Sequence, residues 1–127
     1  MAEFAKLRVG LAQINPTVGA LRENATKILD YYNQAADAGC DVVAFPELSI
    51  TGYPPEDLVL KQGFVAENQL VLAEIVKSIG ETYAVIGFVE QGHKSGELYN
   101  AAAICQNQKV VGVYRKHLLP NYNVFDE

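Results

Sequence analysis

Apolar residues along this chain fall into two rhythms, short unbroken runs that read as buried strands and longer stretches with helical spacing. Residues 7–14 (LRVGLAQI) are mostly apolar, and a strand buried on both faces is expected there. Asn15, Pro16 and Gly19 break the run. Leu21, Ala25, Ile28, Leu29, Tyr32 and Ala35 then recur at helical spacing, with Arg22, Glu23, Lys27, Asp30 and Asn33 among them on the other face. Gly39 supplies the stop. Residues 41–45 (DVVAF) make the next apolar run, so the first third of the chain predicts a βαβ unit with parallel strands.

A second helical pattern covers residues 64–79, where Ala66, Leu70, Ala73, Val76 and Ile79 are taken as the buried face and Gly80 as the stop. Residues 83–91 (YAVIGFVEQ) read as a third strand. Gly87 inside it predicts a close approach by backbone or helix, because a glycine there weakens a strand and packs nothing. Turns at residues 92–96 and at Asn107-Gln108 then predict two antiparallel hairpins built from residues 97–106 and 109–115. Residues 116–127 (KHLLPNYNVFDE), with Pro120 and two asparagines, read as an ordered loop. The order is β-α-β-loop-α-β-β-β, an α/β fold with a mixed sheet and both helices on one face. Two helices cover one face only, so the other needs a second sheet, more chain or a partner subunit. Because the chain also ends in a loop, we read it as part of a larger domain.

Composition narrows the class. At 127 residues with 50% hydrophobic content, the chain makes one domain or less, with enough apolar surface for a packed core. The net charge is −5 and no basic cluster tracks a phosphate backbone, so nucleic acid is not expected as a partner. No apolar segment approaches the roughly 20 residues that cross a bilayer, and the first ten residues lack a signal-peptide core. No membrane association and a cytoplasmic location are therefore expected. Cys40 and Cys105 lie in apolar runs without metal or redox spacing and read as free, small hydrophobes. His93 and His117 are 24 positions apart without further ligands at metal spacing, and no metal is expected.

The chemistry centres on residues 45–58, FPELSITGYPPEDL. Pro46 lacks a backbone donor and biases Phe45 toward extended geometry, so Glu47 stands where a strand gives way to a loop. Carboxyl ends of strands are where open α/β sheets bind ligands. Lys116 follows the last strand and reaches Glu47 if the two strands run the same way. Such a pair handles protons: the carboxylate takes one from a nucleophile and the ammonium stabilises an oxyanion. The same two residues also fit an ordinary ion pair at a strand end. Tyr53 fits either a substrate pocket or an aromatic plug under the loop, while Glu56 and Asp57 fit the start of a short helical turn.

The run VVAFPELSITGYPPEDL, followed later by YRKHLLPNYNVFDE, resembles the nitrilase or carbon-nitrogen hydrolase superfamily. FPEL and RK are shared widely in it; GYPPEDL and PNYxVFDE are similar to the branch of N-terminal glutaminase domains in glutamine-dependent NAD+ synthetases. The resemblance implies one half of an αββα sandwich, and hydrolysis of the side-chain amide of L-glutamine by a Glu, Lys and Cys triad. The ammonia so released would amidate deamido-NAD. It implies Glu47 as general base, Lys116 as the stabiliser of the tetrahedral intermediate, Tyr122 as a glutamine contact and Glu127 as an acid near the lysine. It places the nucleophilic cysteine beyond Lys116, outside these 127 residues, so the chain alone is expected to be inactive. It also implies self-association. No cofactor is expected in this chain, ATP and Mg2+ belonging to a separate synthetase domain. Two other readings stay open: another carbon-nitrogen hydrolase, such as an ω-amidase or nitrilase, or a non-catalytic oligomerisation or regulatory module.

Overall fold

The computed structural model describes residues 5–61, 63–94 and 97–116. Among them, β1 (Val9–Leu11), β2 (Val42–Ala44), β3 (Tyr83–Gln91), β4 (Leu98–Gln106) and β5 (Lys109–Arg115) form one sheet in sequence order. The first three are parallel, while β4 runs against β3 and β5 against β4. Hence β5 points the same way as β2. The helices α1 (Leu21–Asp37) and α2 (Phe64–Val76) flank a short 3-10 turn, Glu56–Leu60, at the position expected for Glu56 and Asp57.

Both helices pack on one face, as the pattern predicts. Ala84, Ile86 and Phe88 of β3 stand opposite Cys105, Ala103 and Ala101 of β4, and these six share a buried cluster with Ile28 and Tyr32 of α1 and Val71 and Ile75 of α2. Each large aliphatic side chain buried here stabilises the fold by about 1.5–3 kcal/mol. The opposite face carries Val9, Leu11, Tyr83 and Tyr114, which are all exposed. The expectation that β1 is buried on both sides is therefore corrected. Gly10 faces Ala35, Cys40 and Val43, but Leu11 is 77% exposed, because only one helical layer lies over the described sheet.

The face expected for α2 is also corrected. Ala66, Leu70 and Ala73 point to solvent, whereas Val65, Asn68, Val71, Leu72, Ile75 and Val76 are buried. The helix is apolar nearly all round, so periodicity alone allows more than one face. The decisive residue is polar. Asn68 lies fully buried because β3 extends beyond β2 and leaves its own backbone edge without a strand partner. Its Nδ2 donates to the Val89 carbonyl at 2.6 Å, and its Oδ1 accepts from the Val89 N–H at 3.1 Å. At Gly87 the same edge is met by Ser49 Oγ and the Ile50 N–H, and at Gln91 by Gln69.

The β4–β5 hairpin turns through Asn107 (φ 51°) and Gln108 (φ 64°), the two left-handed positions that a tight hairpin loop requires. Their N–H groups donate to the carbonyls of Gly80 and Ile79, which ties the turn to the chain after α2. Ile104 pairs with Gly112 and Cys105 with Val110, so Val111 is an extra residue in β5, a β-bulge.

Replacing Asn68 by Ala removes both partners of Val89 in a buried site. We expect a loss of roughly 2–4 kcal/mol, from two unsatisfied backbone groups, read by urea unfolding. A change below about 0.5 kcal/mol would mean that water or a rearranged helix meets the strand edge.

Candidate active site

Phe45 prolongs the β2–β3 ladder by donating its N–H to the Val85 carbonyl at 2.9 Å, and Pro46 ends the pairing. The chain then folds back across β3. A Cβ on Gly87 would lie 2.3 Å from the Leu48 nitrogen and 2.8 Å from the Pro46 oxygen, so the loop rests directly on the strand. The close approach expected at Gly87 is that of backbone. Leu48, fully buried with Val59, Val65 and Val89, adopts φ 49°, a left-handed conformation that costs a leucine on the order of 1–3 kcal/mol. Packing on the far side of Glu47 holds it there.

Asn24 of α1 supplies the second anchor. It is fully buried, and its Nδ2 donates to the carbonyls of Thr17 and Ile50, each at 2.8 Å, while its Oδ1 accepts from the Thr17 N–H. One side chain thus joins the loop after β1 to the loop after β2. Gly52 completes the contact with φ 82°, its Cα facing the backbone of Val18.

Held in this way, Glu47 meets Lys116. Lys116 Nζ lies 2.6 Å from Glu47 Oε1, and both side chains are 36% exposed. The same carboxylate oxygen accepts from Nδ2 of Asn100, a residue of β4 only 4% exposed, at 2.9 Å. Asn100 also takes the Lys116 main-chain N–H on its own carbonyl at 2.9 Å. The hydrogen bond to Glu47 raises the Lys116 pKa above its ordinary value, against a smaller opposing effect of burial, so the amine stays protonated at neutral pH. The pair borders an open depression of about 200 Å³ on the helix-free face, floored by Val85, Gly87 and Ala102 and walled by Tyr114. A carboxylate with one oxygen engaged and a cation beside it suits proton abstraction next to a developing negative charge.

Neighbouring Arg115 faces the other way. Its Nε bonds Glu90 Oε1 at 2.6 Å and its guanidinium stacks 4.1 Å from the centre of the Tyr99 ring. Tyr53 is 43% exposed and lies close enough to Lys116 to act on it electrostatically. Tyr122, Glu127 and His117 lie outside the described residues, as does most of the loop expected over residues 116–127. Neither cysteine joins the pair. Both are free; Cys40 is half-buried before β2, at the opposite end of that strand from Glu47. Cys105 is fully buried on the helix side, where desolvation pushes its thiol up to about 11. Among the described residues no three His, Cys, Asp or Glu side chains converge as metal ligands would. No described helix is long and apolar enough to cross a membrane.

Asn100, Asn24 and Ser49 are the site's supports that sequence reasoning missed. The signal for Asn100 was present, an amide opening the otherwise apolar run NAAAIC.

A five-stranded mixed sheet with a Glu and Lys pair at its carboxyl edge is a recognisable class of site, and residues 8–127 match the family described as carbon-nitrogen hydrolase. The chain belongs to that family. It is 44% identical over 125 residues to the glutamine-dependent NAD(+) synthetase of Thermotoga maritima, a match covering 96% of this chain and 21% of that protein. The structure of the glutamine-dependent NAD+ synthetase from Acinetobacter baumannii superposes with a TM-score of 0.84 at 38% identity, over 94% of this chain and 22% of the other. An amidase of the nitrilase superfamily from Nesterenkonia AN1, solved as a cysteine-to-serine variant, shares the fold with a TM-score of 0.80 at 19% identity, over 94% of this chain and 48% of its own. The architecture is nitrilase-like, and the chain spans about a fifth of the synthetases it matches.

Gly87→Ala is expected to force the Glu47 loop off β3 at a cost of about 1–3 kcal/mol in chemical denaturation. Gly112→Ala is the control, since its Cβ would meet nothing nearer than Ile104 Cδ1 at 3.8 Å, and it should be tolerated. Cys105, neutral and buried, is expected to resist iodoacetamide at pH 8 in the folded protein and to react after denaturation, as read by mass spectrometry. Rapid native labelling would contradict its placement.

Proposed function

We propose that this chain forms part of the glutamine-hydrolysing domain of a glutamine-dependent NAD+ synthetase. The observation that carries the reading is the convergence of Glu47 and Lys116, 69 positions apart in sequence, on one carboxylate oxygen. Likeness to the Thermotoga maritima synthetase supports the choice of substrate within the family. In this reading a cysteine from outside the 127 residues is the nucleophile. Its S–H proton passes to Glu47 as sulfur bonds to the amide carbon, and the Lys116 ammonium stabilises the oxyanion. The C–N bond then breaks as the amide nitrogen takes the proton and leaves as ammonia. Water, deprotonated by Glu47, hydrolyses the thioester to give glutamate and free thiol. Tyr122 would contact the glutamine, with Glu127 near the lysine and Tyr53 at the pocket's mouth. L-glutamine is the ligand assigned here, and ATP and Mg2+ belong to a synthetase domain elsewhere in the protein. The reading carries with it a cytoplasmic enzyme that self-associates.

The test is glutamine hydrolysis by the full-length protein. Glu47→Gln and Lys116→Ala should each lower kcat by about 10²–10⁴-fold, while synthesis of NAD+ from added ammonium chloride continues. Residues 1–127 alone should release no ammonia from glutamine. A full-length protein that hydrolyses no glutamine, or a Lys116→Ala variant with full activity, would overturn the assignment.

A further inference from the structure

The strongest polar constraint on the Glu47 and Lys116 pair comes from a residue to which no role has been given. Asn100 is 4% exposed, on the helix-free face of a strand whose neighbours there are apolar. A buried amide is retained at no net cost only where its hydrogen bonds are met. Its side-chain Nδ2 donates to Glu47 Oε1 at 2.9 Å, and its main-chain carbonyl accepts the Lys116 N–H at 2.9 Å. The orientation of the amide follows from chemistry, since an ionised carboxylate only accepts and must face the NH2. Lys116 Nζ takes the same Oε1 at 2.6 Å.

We propose that Asn100 is the positioning residue of this site: it ties Glu47 to Lys116 through two different groups and reserves Oε2 of Glu47 for the proton. Both partners of the pair depend on it. Through its carbonyl it fixes where the backbone of Lys116 leaves β5, and through its amide it fixes the carboxylate. With Oε1 already holding two donors, Oε2 is the oxygen on which the nucleophile's proton is received. In acylation the bond broken is the donor's S–H, the bond formed is Oε2–H, and the proton leaves with the departing ammonia; in hydrolysis the water O–H proton passes through Oε2 to the cysteine sulfur as the C–S bond breaks. Lys116 can meet the oxyanion without giving up its own place, because Asn100 rather than the ammonium alone keeps the carboxylate from turning.

This inference rests on the glutaminase reading, and the experiment separates the two. Full-length wild-type protein is first assayed for glutamine hydrolysis; its absence would remove the functional reading on which the inference depends. With wild-type activity present, Asn100→Leu, close to isosteric but without a donor, and Asn100→Ser, which keeps a short polar group, are compared. The expected result is a fall in kcat of about 10–100-fold with KM for glutamine changed by less than about threefold, Asn100→Ser being the milder. NAD+ synthesis from ammonium chloride should be unchanged in both. Full kcat in either folded variant, or a rise in KM alone, would overturn the proposal. Should neither variant fold, a crystal structure of the full-length wild type decides. Asn100 Nδ2 within hydrogen-bond distance of one Glu47 oxygen, with the other open to the nucleophile, supports it, and a carboxylate turned away from Asn100 overturns it.

Discussion

β3 outruns β2, and its spare edge is the constraint on which the rest of the molecule depends. Where parallel pairing stops at Val85, the backbone groups of Gly87 and Val89 need partners in a region that water does not freely reach, and that of Gln91 finds one at the surface. An additional strand would have met them and left no room for a loop. Instead, Ser49, Ile50, Asn68 and Gln69 each supply a donor or acceptor, so the edge becomes the surface on which the loop after β2 is laid down. Placing Glu47 is a by-product of satisfying a strand.

Much of this was legible in the sequence. The periodicity of α1, the three long strands and both hairpins follow from local spacing and turn chemistry, and all appear within a few residues of where the pattern puts them. Gly87 announced a close approach before its partner was known. The parallel course of β2 and β5, which the sequence left as a condition, is what lets Glu47 and Lys116 meet. Other features were hidden for a common reason. The buried face of α2 was misjudged because the helix is apolar nearly all round, and the residue that marks the true face, Asn68, is inward because a distant strand edge needs it. Asn24 and Asn100 escaped notice in the same way. Hydrophobic pattern records the burial of apolar groups, and a buried amide is visible only once the backbone it serves is in place.

The exposed sheet face connects fold and chemistry. The depression beside Glu47 opens on that face, away from the helices, whereas Cys105 and the Arg115, Glu90 and Tyr99 cluster belong to the helix side. The sheet thus separates a packed, chemically quiet layer from the side where acid and amine are presented. Its apolar floor, Val85 and Ala102 among its residues, would lower the local polarity around the pair once covered.

The bulge in β5 governs which of two adjacent cations serves this face. Were the bulge ironed out with Val111 kept, the register set at Gln106 and Lys109 would run unbroken, and every later residue of β5 would shift by one place against β4. Arg115 would then stand opposite Asn100 and Lys116 opposite Tyr99. Side chains alternate across a strand, so the site depends on parity: the Arg-Lys dipeptide delivers a flexible ammonium to the carboxylate and a planar guanidinium to the helix side only because the bulge absorbs one residue between turn and site. Deleting Val111 would remove the bulge and leave both residues opposite their present partners, whereas pairing Val111 with Ile104 would exchange the two without any change in composition.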